Sequence, residues 1–355
     1  MSGVILIMAG GTGGHIFPGL ALATALRARG DSVHWMGGAY GLETRLVPEA
    51  GLPLFALSVR GLRGQRGMAR LWSPFKLVWA TLQAMRHLHR LKPRVCVGFG
   101  GYPAAPGGLA ARLLRIPLII HEQNAIAGMT NRLLARWARR VATAFPEVLP
   151  RSQWIGNPVR QGIEALGLSR VAGGHQSGNA IRLLIVGGSQ GAHSFNRMLP
   201  GLLAPLIQRH GVVVRHQTGH SMFDDVKRAY LSLGVSVQVD AFIDDMVSAY
   251  AQADLVIARS GALTVSELAA AAMPSVLVPF PHAVDDHQTR NAQWLVDAGA
   301  AMLVPESALS TMASVIEALV MQPEQFTVMS RAARAVARPD AVNEMLVLID
   351  EVPHG

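Results

Sequence analysis

The feature that most restricts the fold of this chain is a strand–glycine turn–helix pattern that occurs twice. In "VILIMAGGTGGHIFPGLALATAL" the apolar residues 4–9 are typical of a buried strand, a glycine-rich turn follows, and residues 18–26 are typical of a helix. "IRLLIVGGSQGAHSFN" repeats this order with an apolar strand over 181–186. Gly10 and Gly187, which open the two turns, are 177 residues apart, half the length of the 355-residue chain. This spacing predicts two similar α/β domains rather than a solenoid.

Further strands alternate with amphipathic helical stretches along the chain. The other candidate strands are residues 33–37, 95–98, 117–121, 153–156, 212–216, 236–240, 254–258 and 275–279. This alternation predicts doubly wound parallel sheets, that is, two Rossmann-like domains of the α/β class. Pro158 in "GNPVR" interrupts regular structure, so we expect the domain boundary there. Ligands of such sheets bind at the carboxyl ends of the strands, and two domains facing each other would form a cleft.

Charge is distributed unevenly between the two halves. Residues 1–160 contain 20 Lys and Arg against 5 Asp and Glu, a net charge of +15, whereas the remainder contains 12 against 18, a net charge of −6. The asymmetry predicts a polyanionic or membrane partner for the first half only. The alternative is a genome-wide preference for arginine, which explains Arg over Lys but not the shortage of acidic residues.

Two further observations restrict the compartment. The single cysteine, Cys96, excludes an intramolecular disulfide framework and fits a reducing environment. No stretch reaches the roughly 18 uncharged apolar residues that cross a bilayer, because Glu267 interrupts the nearest one, residues 262–281. We therefore expect a soluble or, at most, a peripheral membrane protein.

The glycine turns lack two common nucleotide-binding motifs. Gly11 and Gly13 satisfy the first half of the dinucleotide fingerprint G-x-G-x-x-G, but its last position is Ile16. The second strand also ends without the carboxylate that binds a ribose in that fingerprint. Neither turn is followed by the Lys-Ser/Thr pair of a Walker A loop, so the motifs of dehydrogenases and P-loop nucleotidases are both absent.

Five loops nevertheless place polar groups at predicted strand ends. They are "GGTGGH" (10–15), "GFGGYPAAPGG" (98–108), "HEQNAIAGMTN" (121–131), "GGSQGA" (187–192) and "RSGALTVSE" (259–267). Glycines in such loops expose backbone N–H groups to anions. Hydroxyls or phosphates are the expected ligands of His15, Tyr102, Glu122, Asn124 and Asn131. The alternative for any single loop is a tight turn without a ligand.

The fifth loop has the most specific pattern. Arg259, Ser260 and Gly261 form a turn after an apolar strand, and Thr264 opens a helix whose N-terminal amides suit a diphosphate. Glu267 lies one turn further on, where its carboxylate would accept hydrogen bonds from the two hydroxyls of a ribose. The alternative is purely structural: Ser260 or Thr264 caps the helix and Glu267 completes a capping box.

These motifs together resemble one enzyme family in order and over nearly the whole chain. The matching segments are GGTGGH…P, GGYxxxP, HEQNxxxGxxN, GNPVR, GGSQGA, FIDDM, RSGAxTxxE and DDHQxxNA. The chain is similar to the bacterial UDP-N-acetylglucosamine–N-acetylmuramyl-(pentapeptide) pyrophosphoryl-undecaprenol N-acetylglucosamine transferases.

The resemblance implies a glycosyltransferase B fold with an acceptor- and membrane-binding domain over 1–158 and a UDP-GlcNAc-binding domain over 159–337. It also implies a C-terminal helix, about 338–355, that packs back on the first domain. The implied reaction is inverting transfer of GlcNAc from UDP-GlcNAc to the C4 hydroxyl of MurNAc-pentapeptide pyrophosphoryl-undecaprenol (lipid I), which yields lipid II and UDP in peptidoglycan synthesis.

The resemblance further implies where such an enzyme works and what it binds. The expected location is the cytoplasmic face of the plasma membrane, as a peripheral protein. The expected partners are UDP-GlcNAc, lipid I, anionic inner-leaflet lipids and other proteins of cell-wall synthesis. No nucleic acid, no cofactor and no metal ion is expected.

The resemblance also implies roles for single residues. Ile243 would contact the uracil through its backbone, Glu267 the ribose, and Gln288 with Asn291 the hydroxyls of the GlcNAc ring. Facing the diphosphate would be Ser189, Gln190 and the amides of Ala262, Leu263 and Thr264. Further expected donor-binding residues are Thr12, Gly13, Asn124, Arg160 and Arg259. Expected acceptor-binding residues are Gly11, Gly14, Tyr102 and Asn131.

An inverting displacement needs a base for the acceptor hydroxyl and stabilisation of the leaving UDP. Helix N-termini and amides suffice for the leaving charge without a metal, and Asp244 and Asp245 fit a loop and a helix cap better than a metal site. His15 is the leading base candidate, since an imidazole titrates near neutral pH. Its alternative roles are helix capping or phosphate binding, and Glu122 is the rival base, ahead of His121.

Segment 60–94 combines apolar and basic residues in a way that suits an anionic membrane. The membrane-contacting residues are predicted to include Arg70, Leu71, Trp72, Phe75, Lys76 and Trp79. The 131–140 stretch would extend this surface. The alternative is an ordinary amphipathic helix that faces the core and leaves its arginines in solvent.

Two other functions remain open on the sequence. A UDP-GlcNAc 2-epimerase of similar fold would leave the basic, aromatic segment 60–94 without a role. A peripheral polyanion-binding protein, for example for nucleic acid, would use the +15 half but would not need the 259–267 and 288–291 motifs.

Overall fold

The computed structural model describes residues 3–58, 73–173, 180–188 and 191–353. The chain divides into two compact units: unit 1 comprises Met1–Val159 and Arg338–Gly355, and unit 2 comprises Arg160–Ala337. Each unit contains one parallel sheet with helices packed on it. The prediction of two doubly wound α/β domains is therefore confirmed.

Unit 1 contains a seven-stranded sheet whose strand pairs are all parallel, in the order β3-β2-β1-β4-β5-β6-β7. The strands are β1 Val4–Ala9, β2 Ser32–Gly38, β3 Leu54–Leu57, β4 Val95–Gly100, β5 Leu118–Glu122, β6 Arg140–Thr143 and β7 Gln153–Trp154. The order reverses direction between β1 and β4. In open α/β sheets this reversal is the point at which ligands bind.

Unit 2 contains a six-stranded parallel sheet in the order β10-β9-β8-β11-β12-β13. The strands are β8 Arg182–Val186, β9 Val213–Gln217, β10 Gln238–Asp240, β11 Leu255–Ala258, β12 Ser275–Leu277 and β13 Ala301–Leu303. The order again reverses beside the strand of the glycine repeat, between β8 and β11. The two halves of the sequence repeat thus occupy equivalent places in the two sheets.

The helices follow the strands along the chain. Those of unit 1 are α1 Gly13–Ala28, α2 Glu43–Glu49, α3 Ser73–Leu91, α4 Ala104–Leu113, α5 Met129–Leu134 and, at the C-terminus, α14 Ala341–Asp350. Those of unit 2 are α6 Ile163–Gly173, α7 His193–His210, α8 Phe223–Ser232, α9 Met246–Ala251, α10 Ala262–Ala270, α11 His287–Asp297, α12 Met312–Val320 and α13 Glu324–Val336, with 3-10 turns at His220–Met222, Val284–Asp286 and Glu306–Thr311. No helix among these described residues combines the length and the apolarity needed to cross a membrane.

Alternate side chains of β1 enter two different cores, as the geometry of a strand requires. Ile5 and Ile7 pack in a cluster that includes Ile349 of α14. Leu6 and Met8 pack on the opposite face of the sheet in a cluster that includes Ala84 of α3. Because both faces of β1 are buried, its sequence is a continuous apolar run rather than an alternation.

The C-terminal helix α14 packs within unit 1. Its last residue, Asp350, pairs with Arg29 at 2.7 Å, and the following Glu351 pairs with Arg140 at 2.9 Å. Leu348 and Val352 are buried in the same core as β1. The segment after Ala337 therefore covers one face of the first sheet.

Some element boundaries differ from those predicted. Helix α1 begins at Gly13 rather than near Pro18, since the glycines that follow Thr12 already form its first turn and Pro18 lies inside the helix. The strands β3, β6 and β13 were not predicted. Each has only three or four residues, too few for hydrophobic periodicity to distinguish, and each is a strand through its parallel pairing with β2, β5 or β12.

Candidate functional site

Three loops of unit 1 follow β1, β4 and β5 at the carboxyl edge of the sheet. Two of them approach each other so closely that only glycine fits: a Cβ on Gly101 would lie 2.2 Å from the carbonyl oxygen of Gly10, and Gly101 has a φ of +78°. The glycine-rich turns of unit 1 therefore serve backbone-to-backbone packing at the strand reversal, in addition to any role toward a ligand.

The N-terminus of α1 lies at this edge and has no side-chain cap. Thr12 is the N-cap residue in extended conformation without a capping hydrogen bond, and the first turn contains no acidic residue. The first-turn amides of Gly13 and Gly14 thus begin a 16-residue helix whose positive end is not neutralised by a carboxylate of its own first turn. His15 is in the same turn but does not cap it.

The sequence did not indicate the role of Glu43, which is fully buried at the start of α2. Its carboxylate accepts hydrogen bonds from the amides of Gly11 at 3.0 Å and Gly38 at 2.8 Å, and from the hydroxyl of Tyr102 at 3.2 Å. Burial, with the nearby Glu43 charge, raises the pKa of Tyr102 to about 12. The Gly11 amide, predicted to face the acceptor, is therefore occupied by Glu43.

Glu122 organises the loop that follows β5. It is 1% exposed, and its two oxygens accept from the backbone and side-chain amides of Asn124 at 3.0 and 3.3 Å, the amide of Gly128 at 3.0 Å and the side chain of Asn131 at 2.9 Å. A carboxylate with four such bonds is already committed to its loop. This geometry favours a positioning role for Glu122 over that of a base.

His15 begins a chain of hydrogen bonds that runs into the interior of unit 1. Its Nδ1 lies 2.8 Å from Oε1 of Gln123, whose Nε2 lies 2.9 Å from the carbonyl oxygen and 3.1 Å from Nδ1 of His121. The Nε2 of His121 lies 2.8 Å from the carbonyl oxygen of Gly156. Burial lowers the pKa of His121 to about 4, which makes the ring a poor proton acceptor, and both of its nitrogens are hydrogen-bonded inside unit 1, so His121 does not fit the role of base. The sequence did not single out Gln123.

Unit 2 contains a cavity of about 940 Å³ at the carboxyl edge of β8 and β11. Its lining residues are Val186, Gly187, Gly188, Gly191, Ala192, His193, Ser194, Asn196, Arg197, Met198, Ser221, Met222, Arg259, Gly261, Thr264, Phe280, Gln288 and Glu306. The volume suits a nucleotide-sized ligand. The predicted donor residues Ser189 and Gln190 lie outside the described residues.

Two helices begin at this cavity without side-chain caps. Ala192 is the N-cap of α7 and Gly261 the N-cap of α10, and neither first turn contains an acidic residue. The alternative in which Ser260 or Thr264 caps the helix is therefore wrong, because α10 already begins at Ala262. Helix N-termini of this kind attract the negative charge of a phosphate.

Glu267 is buried in α10 and takes no part in a capping box. The hydroxyl of Tyr250 donates to its Oε2 at 3.2 Å, and Nε of Arg160 lies 3.3 Å from its Oε1. Burial raises the pKa of Glu267, while Arg160 and the Tyr250 bond act in the opposite direction. The Arg160 contact is an ion pair without hydrogen-bond alignment, so Oε1 accepts no hydrogen bond from the described residues.

Arg259 lines the cavity with its guanidinium already engaged by protein groups. It donates to the carbonyl oxygens of Val278 at 3.2 Å and Pro279 at 3.1 Å, to the hydroxyl of Ser194 at 2.9 Å, and to the carboxylate of Glu306. Its charge is therefore shared with Glu306 before any donor binds.

Gln288 and Asn291, predicted to contact the sugar, occupy different environments. Gln288 lines the cavity and accepts from the amide of Phe280 at 2.9 Å, which leaves its side-chain amide N–H groups directed elsewhere. Asn291 is fully buried and donates to the carbonyl oxygen of Ser260 at 3.2 Å, so it shapes the turn before α10 from beneath. Contact between Asn291 and the sugar stays a prediction.

The loop between β10 and α9 contains two predicted features. Asp245 is the N-cap of α9 and accepts from the amide of Ser248 at 3.0 Å, as the sequence predicts. The side chain of Ile243 is buried, so a contact with a base would have to use its backbone.

Helix α3 of unit 1 presents large apolar side chains to solvent. Phe75 is 69% and Trp79 61% exposed, and Lys76 is exposed between them. The core-facing side of α3 includes Ala80, Ala84 and Leu88. The alternative in which the large apolar residues face the core is therefore wrong for Phe75 and Trp79. Arg70, Leu71 and Trp72 lie outside the described residues.

Comparisons with known proteins agree with this architecture. The chain matches the glycosyltransferase family 28 N-terminal domain over residues 5–143 and the glycosyltransferase family 28 C-terminal domain over residues 182–345. The crystal structure of MurG from Acinetobacter baumannii is similar with a TM-score of 0.85 and 39% identity, covering 98% of this chain and 99% of that one. The calicheamicin glycosyltransferase CalG4, at 18% identity and a TM-score of 0.67, shares the fold.

Two curated relatives extend the likeness over the whole sequence. The UDP-N-acetylglucosamine–N-acetylmuramyl-(pentapeptide) pyrophosphoryl-undecaprenol N-acetylglucosamine transferase of Pseudomonas syringae pv. tomato is 48% identical over 360 residues and covers 100% of both chains. The protein of the same name from Chromohalobacter salexigens is 50% identical over 346 residues, 96% of this chain and 95% of that one. The chain therefore belongs to glycosyltransferase family 28 and, within it, to this family of N-acetylglucosamine transferases.

Proposed function

We propose that this chain transfers GlcNAc from UDP-GlcNAc to the C4 hydroxyl of the MurNAc sugar in lipid I, forming lipid II and UDP. The names of relatives at 48% and 50% identity over nearly the full length support this reaction. The structural observation that carries it is the cavity of unit 2, which is lined by two helix N-termini without side-chain caps, with the buried carboxylate of Glu267 further along one of these helices, α10. That combination offers separate sites for a diphosphate and for a ribose.

In this proposal unit 2 binds the donor. The N-termini of α7 and α10 receive the diphosphate, and Glu267 accepts hydrogen bonds from the ribose hydroxyls. Arg160 and Tyr250 hold the Glu267 side chain and favour its ionised form. The backbone at Ile243 contacts the uracil, and Gln288 contacts the GlcNAc ring.

Unit 1 binds the acceptor at the carboxyl edge of its sheet. The amide of Gly14 in the first turn of α1 receives a phosphate of lipid I. Tyr102 and Asn131 shape this edge through Glu43 and Glu122, to which their side chains are hydrogen-bonded. Donor contacts by Thr12, Gly13 and Asn124, which lie at the same edge, stay predictions.

The reaction is a single displacement with inversion. His15 takes the proton of the C4 hydroxyl as its oxygen attacks C1 of GlcNAc, while the bond from C1 to the diphosphate oxygen breaks and its electron pair leaves with UDP. The helix N-termini of unit 2 stabilise the charge that develops on the leaving diphosphate. The protonated imidazole then returns its proton to water.

Membrane association is part of the same proposal. Phe75 and Trp79 on α3 insert into the interface of the bilayer, and Lys76 with nearby arginines contacts anionic head groups. Each basic residue near such a surface contributes about 1 kcal/mol. The chain would then work as a peripheral protein on the cytoplasmic leaflet, where the lipid-linked acceptor is embedded.

The test is transfer of radiolabelled GlcNAc from UDP-GlcNAc to a lipid I analogue, with EDTA present. The wild type is expected to form lipid-linked disaccharide. His15→Ala should lower kcat by about 10²–10⁴-fold, the usual contribution of a general base, with little change in the KM for UDP-GlcNAc. Unchanged kcat in His15→Ala would move the base to Glu122. No transfer by folded wild type, with or without Mg²⁺, would refute the transferase assignment.

A further inference from the structure

We propose that Gln123 is a positioning residue that holds His15 in the tautomer protonated on Nδ1, so that Nε2 is the atom that accepts the proton of the acceptor hydroxyl. The inference rests on the proposed function for its catalytic meaning. Its structural content, the location of one proton on one ring, is independent of that function.

The orientation of the Gln123 amide follows from a partner that can only accept. The carbonyl oxygen of His121 lies 2.9 Å from one end of the amide, and a carbonyl has no hydrogen to donate. That end must therefore be the NH₂ group, and the opposite end, 2.8 Å from Nδ1 of His15, must be the oxygen. Gln123 is 0% exposed, so water does not compete for either end.

The next ring in the chain of hydrogen bonds agrees with this orientation. The second N–H of the Gln123 amide is directed at Nδ1 of His121 at 3.1 Å, so that nitrogen accepts. The Nε2–H of His121 then donates to the carbonyl oxygen of Gly156 at 2.8 Å. Because burial lowers the pKa of His121 to about 4, its ring carries a single proton, as the arrangement requires. Every N–H group in the hydrogen-bonded chain from His15 through Gln123 and His121 to Gly156 therefore has an acceptor.

The consequence for His15 is a defined proton location. Since Oε1 of Gln123 can only accept, Nδ1 of His15 must donate, and the neutral ring then has its lone pair on Nε2. Without Gln123 as a partner, the ring proton of His15 would lie on Nε2 in a fraction of the molecules. In that fraction Nε2 would have no lone pair with which to accept the proton of the acceptor hydroxyl. Holding one tautomer is how a residue that never touches the substrate raises the rate.

Two variants of Gln123 separate this role from plain packing. Gln123→Met preserves the length and approximate volume of the side chain but removes the oxygen that accepts from Nδ1 of His15. Gln123→Glu retains an acceptor oxygen, whether its carboxyl is ionised or protonated, but places an ionisable group at a fully buried position. A residue important only for stability would tolerate Met better than Glu, because burying a carboxyl without compensation is costly. Our inference predicts instead that kcat falls more in Gln123→Met than in Gln123→Glu.

The first measurement is nitrogen-15 NMR of the histidine-labelled full chain at pH 8, with the His15 signals among the 13 histidines identified from the His15→Gln spectrum. We expect Nδ1 of His15 to carry the proton in the wild type and in Gln123→Glu, and a mixture of tautomers in Gln123→Met. Protonation of Nε2 in the wild type would overturn the inference, whether or not the chain is a transferase.

The second measurement is steady-state transfer of GlcNAc to a lipid I analogue. We expect kcat to fall by about 10²-fold in Gln123→Met, at the low end of the range for losing a general base, and by less than about 10-fold in Gln123→Glu, with the KM for UDP-GlcNAc unchanged in both. Equal losses in the two variants, or a smaller loss in Gln123→Met, would overturn the inference. Absence of transfer by the wild type would instead refute the proposed function, and the NMR result would still stand.

Discussion

The donor site is best tested through the ribose contact proposed for Glu267. Its Oε1 accepts no hydrogen bond from the described residues, although Arg160 lies 3.3 Å away, so this oxygen has capacity for a ligand hydroxyl. A hydrogen bond to a charged group contributes about 1.5–3 kcal/mol, and 1.4 kcal/mol is a factor of ten in affinity. Removing the ribose hydroxyl that contacts Glu267 should therefore weaken binding to the wild type by about 10- to 150-fold.

The assay is calorimetric titration of the full chain with UDP, 2′-deoxy-UDP and 3′-deoxy-UDP, for the wild type and for Glu267→Ala. In the variant the penalty for the missing hydroxyl should shrink to about twofold, because its partner is gone and the two changes are no longer additive. Glu267→Gln serves as the size-matched control. It keeps an acceptor without the charge, so its penalty should be intermediate, at about 2- to 12-fold for a neutral hydrogen bond.

The reasoning is refuted if wild type and Glu267→Ala discriminate equally between UDP and both deoxy analogues. If Glu267→Ala weakens all three ligands by the same factor, its role is to order Arg160 and Tyr250 rather than to bind the ribose. Thermal unfolding of each variant in the absence of ligand separates a lost contact from a damaged fold.

Three further predictions concern the membrane face, the buried histidine of unit 2 and the glycine contact of unit 1. Trp79→Glu should strongly reduce sedimentation with vesicles that contain anionic lipid, whereas Met321→Glu, which changes a residue of unit 2 that is 66% exposed, should leave it unaltered; equal effects would contradict the assigned surface. Burial lowers the pKa of His216 to about 3, so the ring stays neutral in the folded state at pH values below 6.5, where the ring of the unfolded chain binds a proton. Stability that is present above pH 6.5 is therefore lost as the pH falls toward 3. The loss from this one group is about 2 kcal/mol by pH 5. His216→Leu should remove about one proton from the uptake on urea unfolding at pH 5 and only about a quarter of a proton at pH 7; an unchanged uptake at pH 5 would show that the ring is charged when folded. Gly101→Ala should destabilise unit 1 by about 2–5 kcal/mol, because the added methyl clashes with Gly10 at a position whose backbone is left-handed. Gly30→Ala is the control: its φ is +91° but the space around it is open, so it should cost only about 1–2 kcal/mol. Equal losses of stability in urea unfolding would mean that the turn after β1 moves to accommodate the methyl.

Patterns that are local in sequence determined the class of fold. The apolar strand followed by a glycine turn, repeated at half the chain length, correctly predicts two parallel α/β units, because a strand buried on both faces must be apolar throughout. The Asp245 cap of α9 was equally predictable, since a cap involves residues only three apart. The order of motifs along the chain was also sufficient to identify the family.

Contacts between residues far apart in the sequence were decided by the tertiary structure alone. Glu43 bonds to groups 32 and 59 residues away, and Gln123, although it lies in the HEQN segment, bonds to a histidine 108 residues away, so no pattern local in sequence predicts these contacts. Burial likewise decided that Asn291 supports a turn from beneath, while the large apolar residues of α3 face outward. Sequence therefore determined most of the elements and the class of fold, because these depend on periodicity. Which hydrogen-bond partners a side chain has, and which of its polar atoms stay available to a ligand, depends on which loops the packed sheet brings together.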